Sequence, residues 1–181
     1  ISDMRIFGSK ENLNVLYTLS DNRNENTYLI MHSKHLENGE WENSEVGRFY
    51  SDGILKNDIK FIIEEDGGYL GFLDYKNNGS CLRIRKYDGI SWSQDIFTIR
   101  KDEMIYWFDM QKNDNVFEFT YSYKDEGQFA ICYESYDLSN QKMIAHNILS
   151  NISNCMYPTF VRYKGQQWVS WVELDSVFSC R

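Results

Sequence analysis

Asn38-Gly39-Glu40-Trp41 and Tyr87-Asp88-Gly89-Ile90-Ser91-Trp92-Ser93 carry the same message twice. Each is an Asx-Gly pair followed closely by tryptophan, and the tryptophans at 41 and 92 stand 51 residues apart. Asx-Gly tolerates the positive φ that a tight hairpin requires. A second marker precedes each hairpin: Ser2-Asp3-Met4-Arg5-Ile6, then Asn57-Asp58-Ile59-Lys60-Phe61. A period near fifty residues in strand-rich sequence points to the four-stranded blades of a β-propeller. A β-sandwich also uses many short strands but does not explain the recurrence.

Working outward, four repeats span residues 1–50, 51–101, 102–150 and 151–181 of what reads as one β-propeller-type domain. In the first, Leu13, Val15, Tyr17 and Leu19 alternate with Asn14 and Thr18, the period of a half-buried strand. Asp21–Asn26, Glu65–Gly68, Lys76–Gly79, Asn113–Asn115, Lys124–Gly127 and Ser139-Asn140 supply turns. Met143 stands where Trp92 would recur. The fourth repeat offers strands at Tyr157–Tyr163, Gln167–Glu173 and Ser176–Cys180, one short of a full blade. With Ile at position 1, the chain reads as an arc of a larger propeller, its open faces suited to self-association. The fold class expected is all-β: antiparallel meander sheets, the last incomplete. Trp41 and Trp92 are expected to be equivalent and buried between the third and fourth strands of their blades. At least one of Trp168 and Trp171 is expected in a blade core.

The 181 residues suffice for a sizeable core. A net charge of −8 disfavours nucleic acid and anionic membrane surfaces. No apolar run approaches the roughly 20 residues of a membrane helix, so membrane insertion is not expected. Compartment is not readable, with a slight lean toward an extracellular or cell-surface setting. Asn78-Gly79-Ser80 and Asn151-Ile152-Ser153 match glycosylation sequons. Cys81, Cys132, Cys155 and Cys180 form no CxxC pair and read as small buried hydrophobes, with no histidine at ligand spacing to them. His32, His35 and His146 show no zinc motif, so neither metal nor cofactor is expected.

Tyr157-Pro158-Thr159-Phe160-Val161 followed by Trp168-Val169-Ser170-Trp171 resembles the inner strands of sialidase-like blades. Tyr87–Ser93 resembles a degenerate Asp-box, the hairpin between third and fourth strands of such blades. The resemblance implies a propeller. It also implies an arginine triad, a Tyr–Glu nucleophile pair and an acid/base Asp if the chain were an active sialidase. Where the family has Arg-Ile-Pro, this chain reads Met156-Tyr157-Pro158, so the first arginine is missing. Arg83 and Arg85 fall on a third, outer-lying strand, away from any central channel.

Binding residues are sought where innermost strands open. Aligning Ile6, Phe61, Phe108 and Phe160 brings Asp3, Arg5, Asp58, Lys60, Trp107 and Tyr157 to comparable places. These charge pairs and aromatics suggest a ligand face. Aromatic rings suit sugars because they offer large apolar area at low entropic cost. The plainer alternative is that these pairs simply satisfy blade–blade contacts. Glu64-Glu65-Asp66 and Asp102-Glu103 are carboxylates for glycosidase chemistry only if two of them face each other. The expected function is non-catalytic recognition of a glycan or a protein, with a glycoside-processing scaffold and a purely structural domain as alternatives.

Overall fold

A computed structural model describes residues 2–9, 12–51, 59–65, 67–76, 79–125, 127–140, 142–150 and 154–174. Asp58, the sequon asparagines and the strand expected at Ser176–Cys180 lie outside these residues, as does the side chain of Asp3. All regular structure among them is β. The first sheet is a meander of β1 (Ser2–Gly8), β2 (Leu13–Ser20), β3 (Thr27–His35) and β4 (Trp41–Tyr50). The second runs β5 (Lys60–Glu64), β6 (Gly67–Lys76), β7 (Gly79–Tyr87) and β8 (Trp92–Lys101). The third comprises β9 (Ile105–Asn113), β10 (Val116–Asp125), β11 (Gln128–Asp137) and β12 (Lys142–Ser150). β13 (Asn154–Tyr163) and β14 (Gln166–Leu174) pair as the fourth. These are four consecutive antiparallel meander sheets of propeller-blade type, the last with two strands.

The chain forms two compact units, residues 1–77 with 81–98 and residues 78–80 with 99–181. In the first, Phe7, Leu16, Ile30, Val46 and Phe49 of one sheet pack with Ile59, Leu70, Phe72 and Tyr87 of the next. β6 is buried on both faces from Gly68 to Tyr75, which explains why its sequence runs apolar without alternating. In the second unit, the buried apolar residues of β9–β11 include Ile105, Phe108, Phe117, Phe119, Tyr121 and Ile131. Val161, Tyr163, Trp168 and Val172 of β13 and β14 are exposed.

The hairpin chemistry is as the sequence suggests, and it occurs three times. Gly39 and Gly89 have φ of 85° and 88°, the left-handed region glycine enters without penalty. The Asp88 carboxylate accepts the amides of Ile90 at 2.9 Å and Ser91 at 2.7 Å. Asn38 accepts the Glu40 amide at 3.0 Å. Asp137 accepts the amides of Ser139 and Asn140 at 2.8 and 3.3 Å. The third copy, at the expected Ser139-Asn140 turn, lacks both glycine and tryptophan.

The tryptophans themselves do not follow expectation. Trp41 is 46% exposed and meets His35 edge-on at a ring separation of 5.1 Å. The β3–β4 register shifts between Ile30 and Met31, so Val46 is an extra, bulged residue. From Trp41 to Glu45 the edge strand is exposed on both faces and enters the core only at Val46. The freed Val46 carbonyl accepts a hydrogen bond from the Arg85 guanidinium. Gly47 makes room for it, since a Cβ there would lie 3.1 Å from Arg85 Nη1. Trp92 is half-buried and stacks on Tyr87 at 5.0 Å. It also reaches the first sheet, where its indole N–H donates to His32 Nδ1 at 3.2 Å. Trp168 is 55% exposed and Trp171 half-buried, so neither is fully in a core.

Candidate functional site

Tyr157 is one of three described non-glycine residues of the second unit with positive φ, along with Asp114 and Lys164, and the only aromatic among them. The β13–β14 register breaks between Met156 and Thr159, and Tyr157 sits in that bulge with φ of 57°. A bulky residue in left-handed backbone costs about 1–2 kcal/mol. The buried Pro158 follows it and offers no amide to pair. Asp109 of β9 staples the bulge: its Oδ2 accepts Thr159 Oγ1 at 2.9 Å and the Phe160 amide at 3.0 Å.

The strained backbone presents the ring. Tyr157 is 56% exposed and lies 4.5 Å from Trp107, centroid to centroid, tilted by 47°. Trp107 in turn meets Phe129 at 5.5 Å and Tyr106 at 5.8 Å, and Tyr106 meets Phe129 edge-on at 4.8 Å. Tyr106, Trp107 and Phe129 are half-buried, so together they form a supported aromatic shelf with Tyr157 as its open lip. Strain held by surrounding structure is characteristic of ligand-contacting positions.

Of the residues singled out from sequence, the structure brings Trp107 and Tyr157 together. Arg5 and Lys60 belong to the other unit. Arg5 is exposed, with its guanidinium on the Met4 carbonyl at 3.1 Å, and Lys60 opens β5, half-buried. Arg83 and Arg85, on the third strand β7, are held by carboxylates. Arg83 bonds Asp74 at 2.9 Å and Asp95 at 3.2 Å, and Arg85 bonds Asp95 at 2.7 Å.

A second constellation was not anticipated. Glu134 of β11 is fully buried, and its Oε1 accepts from Lys101 Nζ at 2.5 Å. His146 Nδ1 lies 2.8 Å from the same oxygen, and the Tyr136 hydroxyl donates to Oε2 at 2.8 Å. Cys132 Sγ stands 3.6 Å from His146 Nδ1. Burial pushes the Glu134 carboxyl upward, but the Lys101, Tyr136 and His146 hydrogen bonds outweigh it and hold it below the usual glutamate value. Burial raises the Cys132 thiol. No sequence spacing marks this pair; the fold brings His146 beside Cys132. The signal lay in the strands: Cys132 and Glu134 share a strand face by period two, and a turn near Ser139-Asn140 sets His146 opposite Glu134, as the β11–β12 register shows.

Among the concavities of the first unit, two carry carboxylates beside aromatic rings. One, of about 550 Å³, is lined by Thr27, Arg48, Tyr50, Asp74 and Tyr75 among others; Asp74 is its acid. The other, of about 780 Å³, has Glu64, Glu65 and Asp88 beside Phe7 and Tyr87. Asp88 is committed to its hairpin, whose Ser91 and Ile90 amides lower its pKa.

No protein-family model matches the sequence, and no curated protein does. Among solved structures the chain is similar to the GH43 endo-arabinanase from Bacillus licheniformis. The two are 13% identical, the match covers 96% of this chain and 74% of that one, and the TM-score is 0.44.

Proposed function

We propose that this chain is a β-propeller-type recognition module that binds a saccharide, without turnover, on the aromatic shelf of Trp107 and Tyr157. The observation that carries the reading is Tyr157, held in a left-handed conformation yet more than half exposed. The backbone does not call for tyrosine there, since glycine would hold it unstrained. A sugar ring laid on an exposed aromatic face gains apolar contact at little entropic cost. The net charge of −8 favours neutral saccharides over sialylated or sulfated ones.

Two substitutions separate the ring from the strain. Tyr157→Ala keeps the strained backbone and removes the ring; Tyr157→Gly removes both. On a glycan array, and by fluorescence titration of the glycans retained, both variants should bind at least about tenfold more weakly than wild type, as loss of one stacked aromatic implies. In urea denaturation Tyr157→Gly should exceed Tyr157→Ala by about 1 kcal/mol. Undiminished binding by both variants would reject the shelf.

The scaffold of a glycoside-processing enzyme is the second reading. It draws on the concavity bearing Glu64 and Glu65 and on the Asp-box-like hairpin at Asp88. Turnover of aryl-glycosides that is lost in Glu64→Gln or Glu65→Gln would favour it over the first.

A further inference from the structure

Cys132, Glu134 and His146 are three different classes of metal ligand at one spot, and the saccharide reading uses none of them. Their ligand atoms all lie within 4.8 Å of one another. Tetrahedral zinc, with bonds of about 2.0–2.3 Å, sets its ligand atoms about 3.3–3.6 Å apart. Here Cys132 Sγ to His146 Nδ1 is already 3.6 Å. His146 Nδ1 to Glu134 Oε1 is 2.8 Å, a hydrogen-bond length that must open by about half an ångström to admit an ion.

The surroundings suit a metal. Cys132 and Glu134 are fully buried on the central strand β11, which fixes their rotamers by packing. His146 is on the outer strand β12 with its side chain 47% exposed, so an ion has a path in. Tyr136 holds the far carboxylate oxygen at 2.8 Å and orients the near one. Such a supporting bond commonly accompanies metal-bound carboxylates. The mixed thiolate, imidazole and carboxylate set fits a borderline-soft ion such as zinc, not calcium or magnesium.

Lys101 is the obstacle and the clue. Its ammonium lies 2.5 Å from Glu134 Oε1, the oxygen a metal would take. Its side chain is 20% exposed and sits on a flexible stem, 5.8 Å from the Tyr121 ring. It can withdraw toward solvent.

We propose that Cys132, Glu134 and His146 form a binding site for a zinc-class divalent cation, with Lys101 serving as the exchangeable cation when no metal is bound. The three side chains leave a fourth position to water. On binding, the Cys132 thiol releases its proton to solvent and the ammonium leaves the carboxylate, so one dipositive ion meets two negative ligands.

The test uses the whole chain, reduced and stripped with chelator, titrated anaerobically with Co²⁺ and then with Zn²⁺. Wild type should give a thiolate-to-cobalt charge-transfer band that saturates at one equivalent and is erased by zinc. His146→Ala, a change at an exposed edge position, should weaken binding at least about a hundredfold, and Cys132→Ser should abolish the band. Lys101→Met should strengthen binding about tenfold or more by removing the competitor. Should Lys101→Met not fold by circular dichroism, His146→Ala decides alone. Absence of the band in wild type, or a band that survives His146→Ala, would overturn the proposal. So would a folded Lys101→Met with unchanged affinity.

Discussion

Replacing Lys101 by methionine is expected to cost about 3 kcal/mol of stability. Glu134 is fully buried and Lys101 is its cationic partner at 2.5 Å. Removing one member of such a pair leaves a charge in a low-dielectric site, a loss of about 3–5 kcal/mol. The lower end applies because the Tyr136 hydroxyl and His146 still reach the carboxylate. Lys101→Met with Glu134→Gln should lose much less, since the orphaned charge is then gone. Urea denaturation of the single and double variants measures both, and the coupling between the sites should be well above 1 kcal/mol. A single-variant loss below about 1 kcal/mol would mean that the pair is solvated, as surface pairs are. The acid dependence has a definite sign. The Glu134 pKa is held below its ordinary value of 4.5, so its contribution is complete above that value and is lost as pH falls through the lowered one.

His32 should give the first unit a different acid sensitivity. Burial, assisted by the nearby charge of Lys34, lowers its pKa from 6.5 to about 4. The hydrogen bonds require the neutral ring. Nδ1 accepts the Trp92 indole N–H at 3.2 Å, so Nε2 carries the proton and donates to Asn14 Oδ1 at 2.9 Å. As pH falls below 6.5 the unfolded chain takes up a proton that the folded chain refuses, so stability drops until about pH 4 and then levels off. Each pH unit between the two values is worth about 1.4 kcal/mol, or about 3 kcal/mol in all. His32→Gln should remove this step from the difference between pH 7 and pH 4, whatever the carboxylates add in both proteins. The His32 proton resonance should likewise stay at its neutral position until the pH nears 4. A midpoint near 6.5 would contradict the buried, indole-bonded ring.

Most of the architecture was legible because hairpin chemistry is local. Asn38-Gly39 and Asp88-Gly89 mark turns by themselves, and alternation from Leu13 to Leu19 marks a strand without knowledge of its neighbours. What the letters concealed was phase. The edge strand is exposed on both faces from Trp41 to Glu45 and meets the core only at the bulged Val46, so Trp41 stays outside the core its counterpart half enters. Another irregularity, at Tyr157, turns a position chosen by repeat alignment into a displayed ring. The Glu134 centre lies a step further off. It requires the face of β11 and the register of β12 at once, and neither Cys132 nor His146 has a sequence motif to announce it.

The meander order has a consequence for the nascent chain. Every strand of the first sheet pairs with a neighbour in sequence, so its hairpins can close within microseconds of leaving the ribosome. Its inner face cannot be covered so soon. Phe7, Leu16, Ile30 and Val46 wait for Leu70, Phe72 and Tyr87, and at about 5–20 residues per second the wait lasts roughly 2–8 s. During that interval a formed but half-clothed sheet is the species that chaperones, and not the ligand, must recognise. Slower translation through β5–β7 would lengthen its exposure in direct proportion.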